Sequence, residues 1–379
     1  MAQRALSALL CWLTFACAPA PEPGSVSRGR TAEDLQGALD RLVAAHDTVP
    51  AAALHLSAPG LEWEGAAGLA DPATGEPMTP HHPVRIASNT KTFVAAAVLR
   101  LDERGQLGLD DPIASHLSGG HLELLRSGGY DPAGITVRHL LTHTSGLYDH
   151  TDADQYAERI LAEPQHRWSR TEQLEAAMAW GDPWGAPGEV YHYADSGYIL
   201  LGEVLERATV GFERLGLDAT WWETLEPPPP GTHDRAHQLL GETDCHAFDP
   251  SFDLWGGGGL VSTVGDLSRF WSALLAGEVY DDPATLETML TTLEGLAPAA
   301  DAGEHSLPPG AYRMGLWAAE VGGRRAWWHG GFWGTAAVHV PDLGLTLAAT
   351  VNQRNSRELT RELARTVTTA VEEAGSPST

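Results

Sequence analysis

The sequence predicts an α+β fold in which an antiparallel sheet is flanked by N- and C-terminal helices and interrupted by a mainly helical insertion. Two strand-like runs, residues 51–57 and 61–69, surround Pro59-Gly60 and predict a β-hairpin. Four further strand patterns lie together near the C-terminus, whereas residues 86–296 show helical periodicity and loop signals. These layers predict a site at the junction of the sheet and the helical part.

Length and composition are those of a folded globular protein. The 379 residues can bury a large core, and 43% of them are hydrophobic while 20% are charged. The formal net charge of −26 argues against nucleic-acid binding and against electrostatic docking on anionic lipid. We expect a monomer that binds no nucleic acid.

The N-terminus has the features of an export signal. Arg4 precedes an uncharged apolar run over residues 5–16. This run is too short to span a bilayer but has the size of a signal-peptide core. Residues 1–17 are therefore expected to be a signal peptide. We expect an exported protein of the bacterial cell envelope, periplasmic or lipid-anchored, or alternatively a secreted one.

The end of this signal resembles a bacterial lipoprotein box over residues 13–17, in which Cys17 would be lipidated and become the mature N-terminus. The match is imperfect because Thr14 stands where Leu is usual. Simple secretion with cleavage after Ala18 is the alternative, although Pro19 would then follow the cut. A lipid at Cys17 is the only membrane contact that the sequence predicts.

One folded domain is expected after the signal. Residues 18–30 are rich in Pro, Ser and Gly and predict a flexible tether. The domain is expected over residues 31–375, with the sheet formed by 31–85 and 305–375 and the helical insertion by 86–304.

The three cysteines predict no intramolecular disulfide in the mature chain. Cys11 is removed with the signal and Cys17 is the proposed anchor, so that only Cys245 remains. No second cysteine or spaced ligand set accompanies Cys245, and an inert thiol in a polar loop is expected.

The elements follow one another along the chain. Residues 31–34 have the pattern of a capping box and predict a first helix through His46. After the hairpin, apolar residues at helical spacing predict a helix from Ser88 to about Arg104. Further helices are predicted at residues 137–142, 171–180, 196–207 and 264–275. The last elements are predicted strands at residues 312–320, 324–329, 335–340 and 345–351, and a closing helix at 357–373.

Lys91 is the only lysine in the chain, since the other 23 of the 24 basic residues are arginine (24 − 1 = 23). A buried ammonium can lose its proton, whereas a guanidinium keeps it at any working pH. Lys91 follows Ser88 by three positions, so on a helix the two side chains share one face. A serine beside an amine that can become neutral is a candidate nucleophile with its base. The alternative is that a last lysine follows a serine by coincidence.

Two further motifs are found in the sequence besides residues 88–91. One is the sequence Tyr-Ala-Asp at residues 193–195, and the other is His-Gly-Gly at residues 329–331, the end of a predicted strand. Together they resemble the penicillin-recognising serine hydrolases, which comprise class C β-lactamases, DD-carboxypeptidases of the same branch, and their esterase and D-aminopeptidase relatives. The likeness covers residues 51–351. It includes segments 106–112, 136–147 and 258–263 in the same order.

This resemblance implies a β-lactamase/transpeptidase-like fold, no cofactor, and a small-molecule or short peptide acyl substrate. Ser88 corresponds to the family nucleophile, Lys91 to its proton-accepting partner, and Tyr193 to the tyrosine that shuttles a proton to the leaving group. A tyrosine beside an ammonium has its phenolate favoured, so either Lys91 or Tyr193 could be the base, and the pair should titrate as a unit. The alternative is that Tyr193 is a packed aromatic and that Tyr191 or Tyr198 has this role.

The resemblance also implies an oxyanion hole formed by the backbone N–H groups of Ser88 and Phe332. Gly330 and Gly331 precede Phe332 and are expected to allow close approach of the substrate backbone. A plain turn before the next strand is the alternative explanation of the two glycines.

Two residues depart from the family pattern. Asp195 stands where the family often has Asn, and an ionised carboxylate only accepts hydrogen bonds. Asp195 could therefore pair with Lys91, hold it charged and shift the base role to Tyr193. His329 stands where class C β-lactamases usually have Lys, and the loss of a fixed charge weakens the grip on an antibiotic carboxylate. Peptidases and esterases of the family commonly have His there, and we expect His329 to face the substrate.

The sequence thus predicts an exported serine hydrolase that works through an acyl-enzyme at Ser88. Because of His329, esterase or D-peptide hydrolysis (DD-carboxypeptidase- or D-aminopeptidase-like) is favoured, with a class C-like β-lactamase as the alternative. A non-catalytic penicillin- or peptide-binding sensor is the alternative from another class. No metal is expected. His139 and His143 have a spacing that can bind zinc, but no Glu lies between them and they belong to a segment that matches the family.

Overall fold

The structure, a computed structural model, describes residues 23–206, 215–293, 296–298, 311–354 and 356–375. Its helices are α1 (Pro23–Ala45), α2 (Thr90–Glu103), α3 (Gly119–Ser127), α4 (Val137–Leu141), α5 (Asp154–Ala162), α6 (Arg170–Trp180), α7 (Asp195–Glu206), α8 (Val264–Leu275), α9 (Pro283–Met289) and α10 (Arg357–Gly375). Its strands are β1 (Ala51–Ala58), β2 (Leu61–Asp71), β3 (Glu76–Pro77), β4 (Val84–Arg85), β5 (Val190–Tyr191), β6 (Trp221–Trp222), β7 (Leu239–Leu240), β8 (Thr243–Asp244), β9 (Leu260–Ser262), β10 (Ala297–Pro298), β11 (Trp317–Val321), β12 (Arg324–Gly331), β13 (Thr335–Val340) and β14 (Leu345–Val351).

The main sheet unites the two ends of the chain. Its seven strands have the order β11-β12-β13-β14-β1-β2-β3, and each neighbouring pair is antiparallel. β1 lies between β14 and β2, where Leu54 pairs with Ala349 on one side and with Gly65 on the other. The β1–β2 turn contains Gly60 at φ 73°, a conformation that glycine adopts without a steric penalty. The predicted hairpin and C-terminal strands therefore form one sheet.

The terminal helices α1 and α10 cover one face of the sheet. Successive strand residues point to opposite faces, and Leu54 and Leu56 of β1 point to this one. There they share a buried cluster with Leu39 of α1 and with Leu363 and Val367 of α10. The predicted layer of N- and C-terminal helices is present.

The opposite face of the sheet packs on the inserted part of the chain. Ala53 of β1 belongs to a cluster that contains Phe270 of α8, and Phe270 stacks on Phe93 of α2 with ring centroids 3.6 Å apart. α2 is buried from Thr90 to Leu101. A helix buried on all sides lies in a protein interior, and α2 therefore places its polar residues inside as well.

Some boundaries differ from the prediction. α1 begins at Pro23, so residues 23–30 of the predicted tether are helical. Proline is well suited to the first helical position, where its missing N–H has no intrahelical partner. β11 begins only at Trp317, because a turn with Gly315 at φ 79° precedes it. The predicted signal peptide with Cys17 and the first part of the tether lie outside the described residues.

Several short elements have no counterpart in the prediction. α3, α5 and α9 form in segments for which no helix was predicted, and β4, β9 and β6 form a small antiparallel sheet of two- and three-residue strands. Among the described residues, no helix is both long enough and apolar enough to cross a bilayer.

Candidate active site

Ser88 lies in a 3-10 turn, Ala87–Asn89, at the entrance to α2. Ala87 has φ 46°, a left-handed conformation that is unfavourable for a residue with a Cβ atom. The Asn89 amide donates to the Ile86 carbonyl at 3.2 Å and to Thr335 Oγ1 at 3.0 Å, which ties the turn to β13. The surrounding structure therefore holds Ser88 in a strained, fixed position.

Lys91 lies fully buried one turn further along and contacts Ser88. Its Nζ atom donates to Ser88 Oγ at 2.9 Å and to the Gly257 carbonyl at 2.6 Å, and lies 2.5 Å from Asp195 Oδ1. An ammonium has three donors, and all three have an acceptor here. The structure thus brings together the serine, the single lysine and the aspartate that the sequence analysis selected.

The charge state of Lys91 is set by opposing influences on its pKa. Burial is the largest single influence and lowers the pKa, but the charge interactions and hydrogen bonds with Asp195 and Tyr193 together raise it above its usual value. In the resting site Lys91 is therefore an ammonium. Asp195 thus pairs with Lys91 and holds it charged, but the base role does not shift to Tyr193, whose raised pKa keeps it protonated.

Tyr193 completes the group. Burial raises the pKa of Tyr193 to about 12, although the attraction of Lys91 and hydrogen bonds with Lys91 and Ser88 act in the opposite direction. Its ring centroid lies 5.0 Å from Lys91 Nζ. Tyr198, one of the alternatives, donates its hydroxyl to the Leu141 carbonyl at 2.9 Å. Tyr193 is therefore the tyrosine that forms hydrogen bonds with both Lys91 and Ser88, and it is a neutral phenol at rest.

Two buried residues that the sequence analysis did not assign to the catalytic group fix the Tyr-Ala-Asp segment. His143 accepts the Ala194 N–H on Nδ1 at 3.1 Å, and its carbonyl accepts the His192 N–H at 3.0 Å. Asp149 accepts the Asp195 N–H at 2.9 Å. These backbone contacts position the side chains of residues 193 and 195 toward Lys91.

The end of β12 packs directly against the Ser88 turn. A Cβ atom on Gly331 would lie 2.3 Å from the Ile86 carbonyl and 2.2 Å from Thr335 Oγ1. Gly331 is therefore required by the protein's own backbone, a reason different from the substrate approach predicted from the sequence. Phe332, the next residue, is 40% exposed at the rim of the pocket that contains Ser88.

His329 lines the same pocket but is almost fully buried. Burial and the nearby Lys91 charge lower the pKa of His329 to about 3. Its Nδ1 atom lies 2.8 Å from the Gly330 carbonyl, and its Nε2 atom lies 3.5 Å from the hydroxyl of Tyr312, a residue that the sequence analysis did not select. His329 is therefore neutral and supplies no fixed positive charge to the site.

The pocket around Ser88 is lined by both aromatic and cationic side chains. The aromatic residues include Tyr156, Phe252 and Trp333. The cationic residues are Arg354 and Arg357. Cys245 packs with the aromatic residues, and burial raises the pKa of its thiol to about 11. The thiol expected in a polar loop is therefore buried.

The two histidines considered for zinc have other partners. His139 accepts the Thr136 N–H on Nδ1 at 3.2 Å, whereas His143 accepts the Ala194 N–H. Within the described ranges, one group of three side chains, Glu76, His82 and His233, has metal-ligand atoms close together.

In the group of Glu76, His82 and His233, both ring nitrogens of His82 already have a partner. His82 Nδ1 accepts the Thr79 N–H at 3.1 Å, and its Nε2 atom lies 3.1 Å from Glu76 Oε1. With Nδ1 as the acceptor, Nε2 carries the proton and faces the carboxylate. The His82 lone pair is therefore not directed at the centre of the group.

A serine is held at a strained turn and forms a hydrogen bond with a buried lysine beneath an antiparallel sheet. This constellation is that of a serine hydrolase. The chain belongs to the beta-lactamase family, whose family model matches residues 39–371. The predicted family, fold class and enzyme class are confirmed.

Individual relatives are esterases and amidases. Esterase EstB of Burkholderia gladioli is 38% identical over 127 residues, which are 34% of this chain and 32% of that esterase. The chain thus aligns with about a third of the length of this curated relative. A D-stereospecific amidohydrolase from Streptomyces sp. superposes with a TM-score of 0.69 at 28% identity, over 85% of this chain and 94% of that one. A D-amino acid amidase from Ochrobactrum anthropi SV3 superposes with a TM-score of 0.72 at 24% identity, over 92% of this chain and 100% of that one. This amidase therefore shares the fold.

Proposed function

We propose that the protein is an exported serine hydrolase that cleaves an ester or amide bond through an acyl-enzyme at Ser88. The observation on which this proposal depends is the 2.9 Å contact between Lys91 Nζ and Ser88 Oγ in a buried site. The similarity to an esterase and to a D-stereospecific amidohydrolase supports an acyl substrate. The export step rests on residues 1–17, and the intact mass of the mature protein would distinguish a lipidated Cys17 from cleavage after Ala18.

In the proposed mechanism, Ser88 Oγ attacks the substrate carbonyl and passes its proton to Lys91. Because Lys91 is charged at rest, it must first release a proton, and the Asp195 carboxylate at 2.5 Å is the nearest acceptor. Attack thus forms the Oγ–C bond while one proton moves from Ser88 to Lys91 and one from Lys91 to Asp195. When the tetrahedral intermediate collapses, the bond between the carbonyl carbon and the leaving group breaks, Tyr193 donates a proton to the leaving group and regains one from Lys91, and Asp195 returns its proton to Lys91.

The backbone N–H groups of Ser88 and Phe332 are proposed to stabilise the negative oxygen of this intermediate. Preorganised donors of this kind contribute about 3–4 kcal/mol to transition-state stabilisation. The packing of Gly331 against Ile86 supports the assignment, since it brings the Phe332 end of β12 beside the Ser88 turn.

The Asp195→Asn substitution is expected to lower the pKa of Lys91. The carboxylate that stabilises the ammonium is removed, while the burial that disfavours the charge remains. The chain has one lysine, so lysine-selective isotope labelling gives a single side-chain NMR signal whose pH titration reports Lys91 directly. Asp152→Asn, which removes a carboxylate paired with His192, is the control. An unchanged Lys91 titration in Asp195→Asn would contradict the proposed pairing.

Esters and D-peptides are expected to be better substrates than β-lactams. The neutral His329 provides no positive charge for the carboxylate of a β-lactam antibiotic. A panel of a chromogenic cephalosporin, a short-chain p-nitrophenyl ester, and a peptide ending in D-Ala-D-Ala tests this proposal. We expect kcat/KM for the ester or the peptide to exceed that for the cephalosporin by at least about tenfold, the effect of one lost charge-assisted contact. Faster cephalosporin turnover would assign the protein as a β-lactamase, and acylation without release would assign it as a sensor.

A further inference from the structure

Arg354 lies at the rim of the Ser88 pocket, over the ring of Phe332. The central carbon of its guanidinium lies 4.6 Å from the ring centroid, and both residues line the pocket. A guanidinium at this distance from an aromatic face is held by the charge distribution of the ring. The proposed mechanism uses the backbone N–H of Phe332 but neither its ring nor Arg354. The contact between the two side chains therefore needs its own explanation.

Phe332 lies in the tight turn between β12 and β13. The Gly334 N–H donates to the Gly331 carbonyl at 3.0 Å and closes a four-residue turn with Phe332 and Trp333 in its centre. The Gly331 carbonyl and the Phe332 N–H belong to one trans peptide plane and point in opposite directions. Since that carbonyl is directed into the turn, the Phe332 N–H is directed out of it. Its position relative to Ser88 therefore depends on where the whole turn lies.

The turn packs against the segment that carries Arg354. Gly334 has φ 77°, and a Cβ atom there would lie 2.0 Å from the Val351 carbonyl. The Val351 N–H donates to the Gly334 carbonyl at 2.8 Å. Three residues later the Arg354 N–H donates to the Leu239 carbonyl of β7, also at 2.8 Å. The backbone of Arg354 is thus anchored outside the turn, and its side chain reaches across to the turn.

The Phe332 ring has one further aromatic contact, which comes from within the turn. Phe332 and Trp333 form an edge-to-face pair with ring centroids 4.8 Å apart. Trp333 is almost fully buried, whereas the Phe332 side chain lies in the rim, where its residue is 40% exposed. The contact with Arg354 is therefore the one that ties this exposed side chain to a separate part of the protein.

We propose that Arg354 is a positioning residue of the oxyanion hole, which holds the Phe332 ring and thereby fixes the Phe332 N–H beside the Ser88 turn. This inference rests on the proposed function, in which that N–H stabilises the tetrahedral oxygen. A preorganised donor lowers the barrier only if it is in place when the charge develops. A small displacement of the N–H should therefore lower kcat while substrate binding is retained.

The kinetic test uses p-nitrophenyl butyrate, an uncharged substrate whose binding needs no cation. We expect Arg354→Gln to lower kcat by about tenfold and to change KM by less than about twofold, the pattern of an interaction made in the transition state. Arg354→Lys keeps a cation over the ring and should regain part of kcat. An unchanged kcat in Arg354→Gln would overturn the proposal.

A matched control removes a similar contact away from the site. The Arg325 guanidinium lies 5.7 Å from the Trp327 ring centroid, near the end of β12 that is remote from Phe332. Arg325→Gln should turn over p-nitrophenyl butyrate like the wild type. An equal loss of kcat in Arg325→Gln and Arg354→Gln would mean that any such contact on the sheet has this effect, which contradicts a specific role of Arg354.

Direct binding of a substrate carboxylate by Arg354 would give a different pattern. In that case Arg354→Gln would raise KM for a peptide ending in D-Ala-D-Ala and leave kcat for the uncharged ester unchanged. This result would overturn the positioning role.

A second substitution tests whether Arg354 acts through the Phe332 ring. Phe332→Leu keeps the backbone N–H but removes the aromatic face. In the Phe332→Leu background, Arg354→Gln should lower kcat by less than about twofold, because the two side chains act as a coupled pair. A tenfold loss in that background would show that Arg354 acts by another route.

The Phe332 N–H can also be observed without turnover. The chain has seven phenylalanines, so phenylalanine-selective isotope labelling gives at most seven amide signals, and Phe332→Leu identifies one of them by its loss. Reaction with diethyl p-nitrophenyl phosphate places a phosphoryl oxygen on Ser88 where the tetrahedral oxygen would lie. We expect the Phe332 amide proton to shift on this reaction in the wild type and to shift clearly less in Arg354→Gln.

This measurement separates failure of the inference from failure of the hydrolase function. A wild type that is not phosphorylated at Ser88 would contradict the hydrolase function and the inference with it. A phosphorylated wild type whose Phe332 amide does not shift would overturn the inference and leave Ser88 as the nucleophile. Equal shifts in the wild type and Arg354→Gln would overturn the role of Arg354 alone.

Discussion

The Ser88→Ala variant is expected to lose all detectable ester and peptide hydrolysis, with kcat reduced by about three to six orders of magnitude. The Ser88 hydroxyl is the one that the Lys91 ammonium contacts, at 2.9 Å, and that Tyr193 bonds. Thr151 and Ser356 also line the pocket, but no contact with Lys91 is found for either among the described residues. Since neither hydroxyl contacts Lys91, neither can replace Ser88 as the nucleophile.

Covalent labelling by a fluorophosphonate or a fluorescent penicillin measures the same loss directly. Ser88→Ala should take up no label, whereas Ser115→Ala, which removes an exposed serine hydroxyl, should label and turn over like the wild type. Removal of Ser88 Oγ leaves the Lys91 contacts to Asp195 and Gly257, and the variant should remain folded. Hydrolysis by a correctly folded Ser88→Ala variant above about 1% of the wild-type rate would mean that another group attacks the substrate.

The sheet and the long helices could be predicted from the sequence because their patterns are local. α8 lies at the predicted residues 264–275, and β13 and β14 lie at the predicted strands. A strand buried on one face alternates with period two, and a helix repeats its apolar residues every three to four positions. The small sheet of β4, β9 and β6 could not be predicted, because strands of two or three residues have no periodicity.

The reacting residues could be selected from the sequence for different reasons: Ser88 and Lys91 by their spacing, and Tyr193 because its motif resembles the family pattern. The charge states of these residues could not be predicted from the sequence. The pKa of Lys91 depends on whether Asp195, more than a hundred residues away in the sequence, actually reaches it, and the 2.5 Å contact is a tertiary fact. The same applies to Asp149, a buried carboxyl that accepts the Asp195 N–H from a distant segment. Local sequence around Asp149 resembles an ordinary polar turn.

Gly331 illustrates how a correct residue can be predicted with an incomplete reason. The sequence suggested space for a substrate backbone, whereas the structure shows contact with Ile86 and Thr335. A side chain at Gly331 would push β12 away from the Ser88 turn. Packing of the site alone is therefore sufficient to require glycine at this position.

Replacement of Lys91 by arginine is expected to be nearly as damaging as replacement by alanine, with kcat/KM at least about a thousandfold below the wild type in both. A guanidinium holds its proton and cannot relay one from Ser88 to Asp195. Its planar fork also cannot direct donors at Ser88, Gly257 and Asp195 from a single atom, as Nζ does at 2.5–2.9 Å.

The two Lys91 variants should differ in stability although both are inactive. Lys91→Ala leaves the partly buried Asp195 carboxylate without its cation, and breaking such a pair costs up to about 3–5 kcal/mol. Lys91→Arg keeps the charge but forces a larger group into a site with no exposure, which costs about 1–3 kcal/mol. Thermal unfolding together with kcat/KM at several pH values separates the two effects, with Arg104→Lys at the exposed end of the same helical segment as the control. If Lys91→Arg kept more than about a tenth of the wild-type kcat/KM, a fixed positive charge would suffice and no proton would need to pass through residue 91.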